Sequence, residues 1–105
     1  MVKHTGVTAM RASDIPPGTC KLGHVNDKEV AIFNIDGKFY ATQNDCTHRG
    51  GPLCEGGIWG EIVTCPWHGS EFNVRTGEVV TDPAETPIAT YKVEVKDDLL
   101  VIDEA

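Results

Sequence analysis

The sequence is short of positive charge, of long apolar runs and of any helical period. Nine Lys and Arg stand against sixteen Asp and Glu, a net charge of -7 at pH 7. Nucleic acid and anionic membranes both demand neutralising Lys and Arg, so the charge argues against both as partners. No stretch approaches the ~18 consecutive apolar residues that span a bilayer. The opening residues, Met1-Val2-Lys3-His4-Thr5-Gly6, carry no apolar run that could act as a signal peptide. A soluble cytoplasmic protein is expected, in a compartment where thiols stay reduced and disulfides are the weaker account of cysteine. The 105 residues leave no room for a second independent core, so a single domain over 1–105 is expected. Repeats and low-complexity tracts are absent, and no window of about 11 residues shows a 3.6-residue apolar period.

What is there favours strands and turns, with 11 Gly and 6 Pro. The run VAIFNI (30–35), the pair Asp36-Gly37 and Lys38-Phe39-Tyr40-Ala41 predict a hairpin. Tyr91, Val93 and Val95 alternate with Lys92, Glu94 and Lys96, the pattern of a half-buried strand. Lys96-Asp97-Asp98 then turns the chain into a partner strand at 99–102. A third hairpin is expected at 72–74 and 78–80, around Arg75-Thr76-Gly77. Short segments at 6–10 and 19–25 flank Ser13-Asp14-Ile15-Pro16-Pro17-Gly18, and 58–64 reads as one strand. The expected fold is a small antiparallel all-β sandwich or barrel. Residues 43–60 and 65–70 break its rhythm, and irregular loops that long in a compact domain carry function.

Each loop holds a cysteine and a histidine at ligand spacing: Cys46-Thr47-His48 and Cys65-Pro66-Trp67-His68. Structural zinc takes four such ligands, but zinc fingers pair Cys with Cys and His with His, whereas both pairs here are mixed. Thiol catalysis needs one Cys–His pair and leaves the other unexplained. A Rieske [2Fe–2S] cluster places two Cys on one iron and two His on the other, and two mixed pairs suit that asymmetry. Imidazole in place of thiolate removes negative charge and raises the potential above that of an all-Cys cluster.

The segments CTHRGG (46–51) and CPWHGS (65–70) resemble the two cluster-binding loops of the Rieske family. The whole chain is similar to the Rieske-type ferredoxins of bacterial ring-hydroxylating dioxygenase systems. The resemblance implies one [2Fe–2S] cluster, with cluster-binding loops at about 43–60 and 64–72. Cys46 and Cys65 would hold the inner iron, and His48 and His68 the outer one. Gly50, Gly51 and Gly69 would let backbone N–H groups approach the sulfides. The segment Asp82-Pro83-Ala84-Glu85-Thr86-Pro87 resembles the proline-containing loop that covers the cluster. The implied role is a one-electron carrier rather than an enzyme. It would be a monomer, taking electrons from a flavin-dependent NAD(P)H reductase and passing them to a terminal oxygenase with a Rieske centre and non-haem iron. The small subunit of an assimilatory nitrite reductase resembles the same domain and is the alternative; a zinc-stabilised binding module is a third reading.

Departures from the respiratory members of the family bear on the potential. Those proteins carry a disulfide between the loops, at positions held here by Gly51 and Trp67. Ser70 matches their serine donor to a bridging sulfide, whereas Phe72 replaces a tyrosine donor to a ligand sulfur. A redox titration is expected to give a potential well below the top of the ~ -150 to +300 mV Rieske range; a value near that top contradicts the reading. Cys20 is expected to be a small buried apolar residue and Cys54 a spare thiol. His4 and His24 are expected on the surface, and Trp67 to shield the cluster. The acidic excess reads either as a solvated face or as steering towards basic patches on redox partners.

Overall fold

Asp36 and Gly37 form the expected two-residue turn, with φ of 53° and 90°. Positive φ at both positions matches the right-handed twist of the flanking strands, and Asp and Gly tolerate it. The computed structural model describes residues 11–25, 28–47, 50–67, 69–82 and 84–104. That turn joins β2 (Lys28–Ile35) to β3 (Lys38–Gln43), closing on the pair Ile35 and Lys38. A second turn of the same kind, at Asp97 (φ 49°) and Asp98 (φ 67°), joins β8 (Thr90–Lys96) to β9 (Leu99–Glu104). With β1 (Thr19–Val25), these strands form an antiparallel sheet in the order β1-β2-β3-β8-β9.

The chain between β3 and β8 makes a second, four-stranded sheet in sequential order. Its strands are β4 (Gly57–Trp59), β5 (Ile62–Thr64), β6 (Glu71–Asn73) and β7 (Val79–Thr81). The third expected hairpin is β6–β7, and the Asn73 side chain accepts from the N–H groups of Arg75 and Thr76 in its turn. The strand expected over 58–64 is instead a hairpin: Gly60, at φ 61°, turns β4 back so that Trp59 pairs with Ile62. Glycine as the first residue of a two-residue turn favours this reversal, and both arms are too short to show their own period. The other regular elements among the described residues are 3-10 turns at Ala12–Asp14 and Leu53–Glu55. No helix there is long and apolar enough to cross a membrane. The segment 6–10 lies outside the described residues.

Strand β2 explains why VAIFNI is apolar without interruption, because both of its faces are covered. Val30 and Ile32 pack with Ile15, Val25, Ala41, Leu100 and Ile102, within the larger sheet. Ala31 and Phe33 face the other way, towards Leu53, Val63, Phe72 and the two loop cysteines, Cys46 and Cys65. The buried Asn34 secures the end of this strand. Its Nδ2 donates to the Ile15 carbonyl (2.6 Å) and its Oδ1 accepts from Gly37 N–H (2.7 Å). Asn34→Leu strands both partners and is expected to cost about 3 kcal/mol in chemical denaturation; a loss below about 0.5 kcal/mol contradicts the assignment.

Candidate metal centre

The two Cys–His loops share one hydrogen-bonded frame. Cys46 N–H donates to the Gly51 carbonyl (2.9 Å), and Gly50 N–H donates to the Cys46 carbonyl (2.7 Å). In the second loop, Cys65 N–H donates to the Ser70 carbonyl (2.7 Å) and Gly69 N–H to the Cys65 carbonyl (3.1 Å). Each loop is thus a six-residue closed turn with a cysteine at its root. The fifth residue of each is a glycine at positive φ, 77° for Gly50 and 82° for Gly69, where a side chain would be strained.

This construction buries the roots, while several of the described residues beyond them are exposed. Cys46 and Cys65 are 3% and 2% exposed, within the core between the sheets. Gly50, Pro66, Trp67 and Gly69 are exposed. The loops meet at Gly51, where a Cβ would lie 2.7 Å from Cys65 Sγ and 3.1 Å from Trp67 Cγ. Gly51 therefore leaves room that any other residue would fill. Trp67 lies over it yet remains 56% exposed, so it shields one side of the loop junction only.

Residues 82–87 are fastened to both loops. Thr47 Oγ1 donates to the Thr86 carbonyl (2.6 Å), and Ala84 N–H donates to Ser70 Oγ (3.0 Å). Ser70 is fully buried, and no described residue accepts its hydroxyl proton. A buried donor that no described residue satisfies calls for an acceptor at the site. The two buried cysteine sulfurs, a glycine where a Cβ would clash and a donor that no described residue satisfies fit an iron–sulfur group with soft ligands and acceptor sulfides. Phe72 is fully buried beside both cysteines and offers no second donor.

The structure thus brings together the loops of Cys46 and Cys65; His48 and His68 lie outside the described residues, as do His4 and Pro83. His24 is exposed on β1, as expected. The reading of Cys20 and Cys54 needs correction, because these two residues form a disulfide with Cα atoms 5.5 Å apart. Both are half-buried. They are 34 positions apart, and only packing of β1 against the Leu53–Glu55 turn unites them. Asn44 was also unmarked in the sequence. Its carbonyl accepts from Leu53 N–H (2.8 Å) and its Oδ1 from Cys54 N–H (2.9 Å), which secures the base of the first loop. An asparagine near the start of the 43–60 loop is the only local signal it leaves.

Comparison with known proteins gives this geometry its context. The family model for the Rieske [2Fe-2S] domain matches residues 5–92. Ferredoxin CarAc of Metapseudomonas resinovorans is 39% identical over 87 residues, covering 82% of this chain and 81% of the relative. The biphenyl dioxygenase ferredoxin subunit of Pseudomonas sp. (strain KKS102) is 37% identical over 100 residues, covering 94% and 92%. A solved complex of reduced oxygenase and oxidized ferredoxin in carbazole 1,9a-dioxygenase contains a chain 35% identical to this one. It superposes with a TM-score of 0.86, over 91% of this chain and 99% of that one. The chain belongs to the Rieske [2Fe–2S] family, and its cofactor is one Rieske-type cluster. Within the family it is a ferredoxin of the kind found in dioxygenase systems, an electron-transfer component and not itself an enzyme.

Proposed function

We propose that Cys46 and Cys65 hold the inner iron of the cluster and His48 and His68 the outer iron. The chain, as a single cytoplasmic domain acting as a monomer, carries one electron at a time from a flavin-dependent NAD(P)H reductase to a terminal oxygenase. The oxygenase has its own Rieske centre and non-haem iron. The observation that carries this reading is the pair of equivalent closed turns, each burying one cysteine and meeting at Gly51. When bound, the cluster supplies a one-electron couple raised in potential by its two neutral imidazole ligands.

The residues of the chain do the rest. The buried cysteines anchor the site inside the core, and residues 82–87, tied to Thr47 and Ser70, exclude water from one side. The loop tips are the shared docking surface, used alternately by reductase and oxygenase. The net charge of -7 on the chain as a whole suits partners with basic patches. The nitrite reductase alternative ranks below this reading, since relatives at 37% and 36% identity are ferredoxin components of biphenyl and naphthalene dioxygenase systems. The zinc module gives way to the family match.

Substitution of the histidines tests the ligand assignment. His48→Ala and His68→Ala are each expected to abolish cluster assembly or shift its visible spectrum. An intact, active variant with an unchanged spectrum refutes the assignment.

A further inference from the structure

We infer that the Cys20–Cys54 disulfide is a thiol-responsive tether on the first cluster loop, and that reduction by a dithiol loosens the site. Its position supports this. Cys20 lies on β1, the edge strand of the larger sheet, opposite Phe33 of β2. Cys54 lies in the Leu53–Glu55 turn, at the base of the loop that carries Cys46. The insertion holding the whole site leaves the larger sheet after β3 and returns at β8. The disulfide is a third covalent connection between the two parts.

The path from tether to site is short. Cys54 N–H donates to Asn44 Oδ1 (2.9 Å), and the Asn44 carbonyl holds Leu53 N–H (2.8 Å). Asn44 is two residues before Cys46, and the intervening Asp45 bridges to Pro52 across the loop. A Cys54 released from β1 frees this base, and the hydrogen bonds at Asn44 must then hold it alone. Accessibility separates the pairs: the tether cysteines are half-buried, whereas Cys46 and Cys65 are 3% and 2% exposed. A thiol reagent therefore reaches the tether before it reaches the proposed ligands.

The exchange balances. A thiolate of the dithiol attacks one sulfur of the pair and forms a mixed disulfide, while the other sulfur leaves as thiolate and takes a proton. The second thiol of the reagent then displaces the remaining protein sulfur. The reagent ends as its own disulfide, and two electrons and two protons have passed to Cys20 and Cys54. In the reverse direction hydrogen peroxide oxidises one of the thiols to a sulfenic acid with loss of water. Condensation with the other thiol restores the disulfide and releases a second water.

The effect on the cluster rests on the ligand assignment above, whereas the existence and reducibility of the tether do not. The test uses the cluster-loaded protein, with and without dithiothreitol, beside the Cys20→Ser/Cys54→Ser double variant. Alkylation followed by mass spectrometry is expected to label no cysteine before reduction, and Cys20 and Cys54 afterwards. Iron release to a chelator is expected to quicken at least about threefold on reduction, and the double variant to show the fast rate with or without dithiothreitol. The melting temperature of the metal-free wild type, followed by circular dichroism, is expected to fall by about 10 °C on reduction. Labelling of Cys20 and Cys54 before any reductant, or iron release unchanged by their reduction, overturns the tether. A double variant that remains sensitive to dithiothreitol also overturns it. Should the double variant fail to fold, the wild-type reduction series alone decides. Labelling of Cys46 or Cys65 in the loaded protein counts against the ligand assignment instead.

Discussion

Cys65→Ser is expected to yield a folded protein without the colour of the cluster, its iron content lower by roughly tenfold or more. The thiol is 2% exposed and opens the second closed turn, so its place in the core does not depend on the metal. Serine keeps that turn, because the N–H to the Ser70 carbonyl and the carbonyl taking Gly69 N–H are both backbone groups. What serine loses is the soft thiolate, on which iron–sulfur ligation depends. The same reasoning applies to Cys46→Ser at the root of the first loop. Cys20→Ser supplies the contrast, for it removes the tether and leaves both proposed ligands, so that variant is expected to be coloured as purified. Visible absorption and iron analysis of the three variants make the comparison. A coloured, fully loaded Cys65→Ser protein contradicts the account.

Gly56→Ala is expected to cost about 3 kcal/mol or more of folding stability, with or without metal. Its φ of -85° is open to any residue, so backbone freedom is not the reason for glycine here. The reason is space: a Cβ on Gly56 would overlap the Thr64 carbonyl oxygen, a backbone atom of β5 that cannot swing aside. Thr64 is also the residue before Cys65, so relief of the clash would move the root of the second loop. Gly57, next in the chain, has open space where its Cβ would go, and Gly57→Ala is expected to change stability by no more than about 0.5 kcal/mol. Urea denaturation of both variants in the metal-free state separates the packing cost from ligand loss. Equal stability of the two contradicts the packing argument. A loss of this size is a large share of the ~5–15 kcal/mol that holds an ordinary domain together.

Local signals in the sequence foretold the structure where the cause of the structure is itself local. Asp36-Gly37 and Asp97-Asp98 adopt the positive φ that two-residue turns require, and the hairpins follow. The doubled Cys–His spacing located both loops, because each closes on itself within six residues. The segment 58–64 departs from the single strand its pattern predicts, for the same reason in reverse. A single glycine at φ 61° reverses a run whose apolar residues resemble one strand. Other features depend on contacts between remote positions. Cys20 meets Cys54 only after β1 and the insertion have packed, and reasoning from a reducing compartment pointed away from a disulfide. Thr47 finds the Thr86 carbonyl across 39 positions, and the resemblance of 82–87 to a covering loop left that contact unspecified. Asn44 makes four hydrogen bonds, to Glu29, Leu53 and Cys54, that no spacing rule would connect.

Mixed ligation is the central claim, and pulsed EPR of the chemically reduced protein addresses it directly. The spectrum is expected to arise from one paramagnetic cluster per chain, with hyperfine couplings from two imidazole nitrogens. Selective 15N labelling of histidine should convert both couplings together. That result requires two histidines on iron, and His48 and His68 are the two at ligand spacing from the loop cysteines. An iron–sulfur signal without histidine nitrogen coupling, or a colourless protein that holds zinc and gives no signal, contradicts the account.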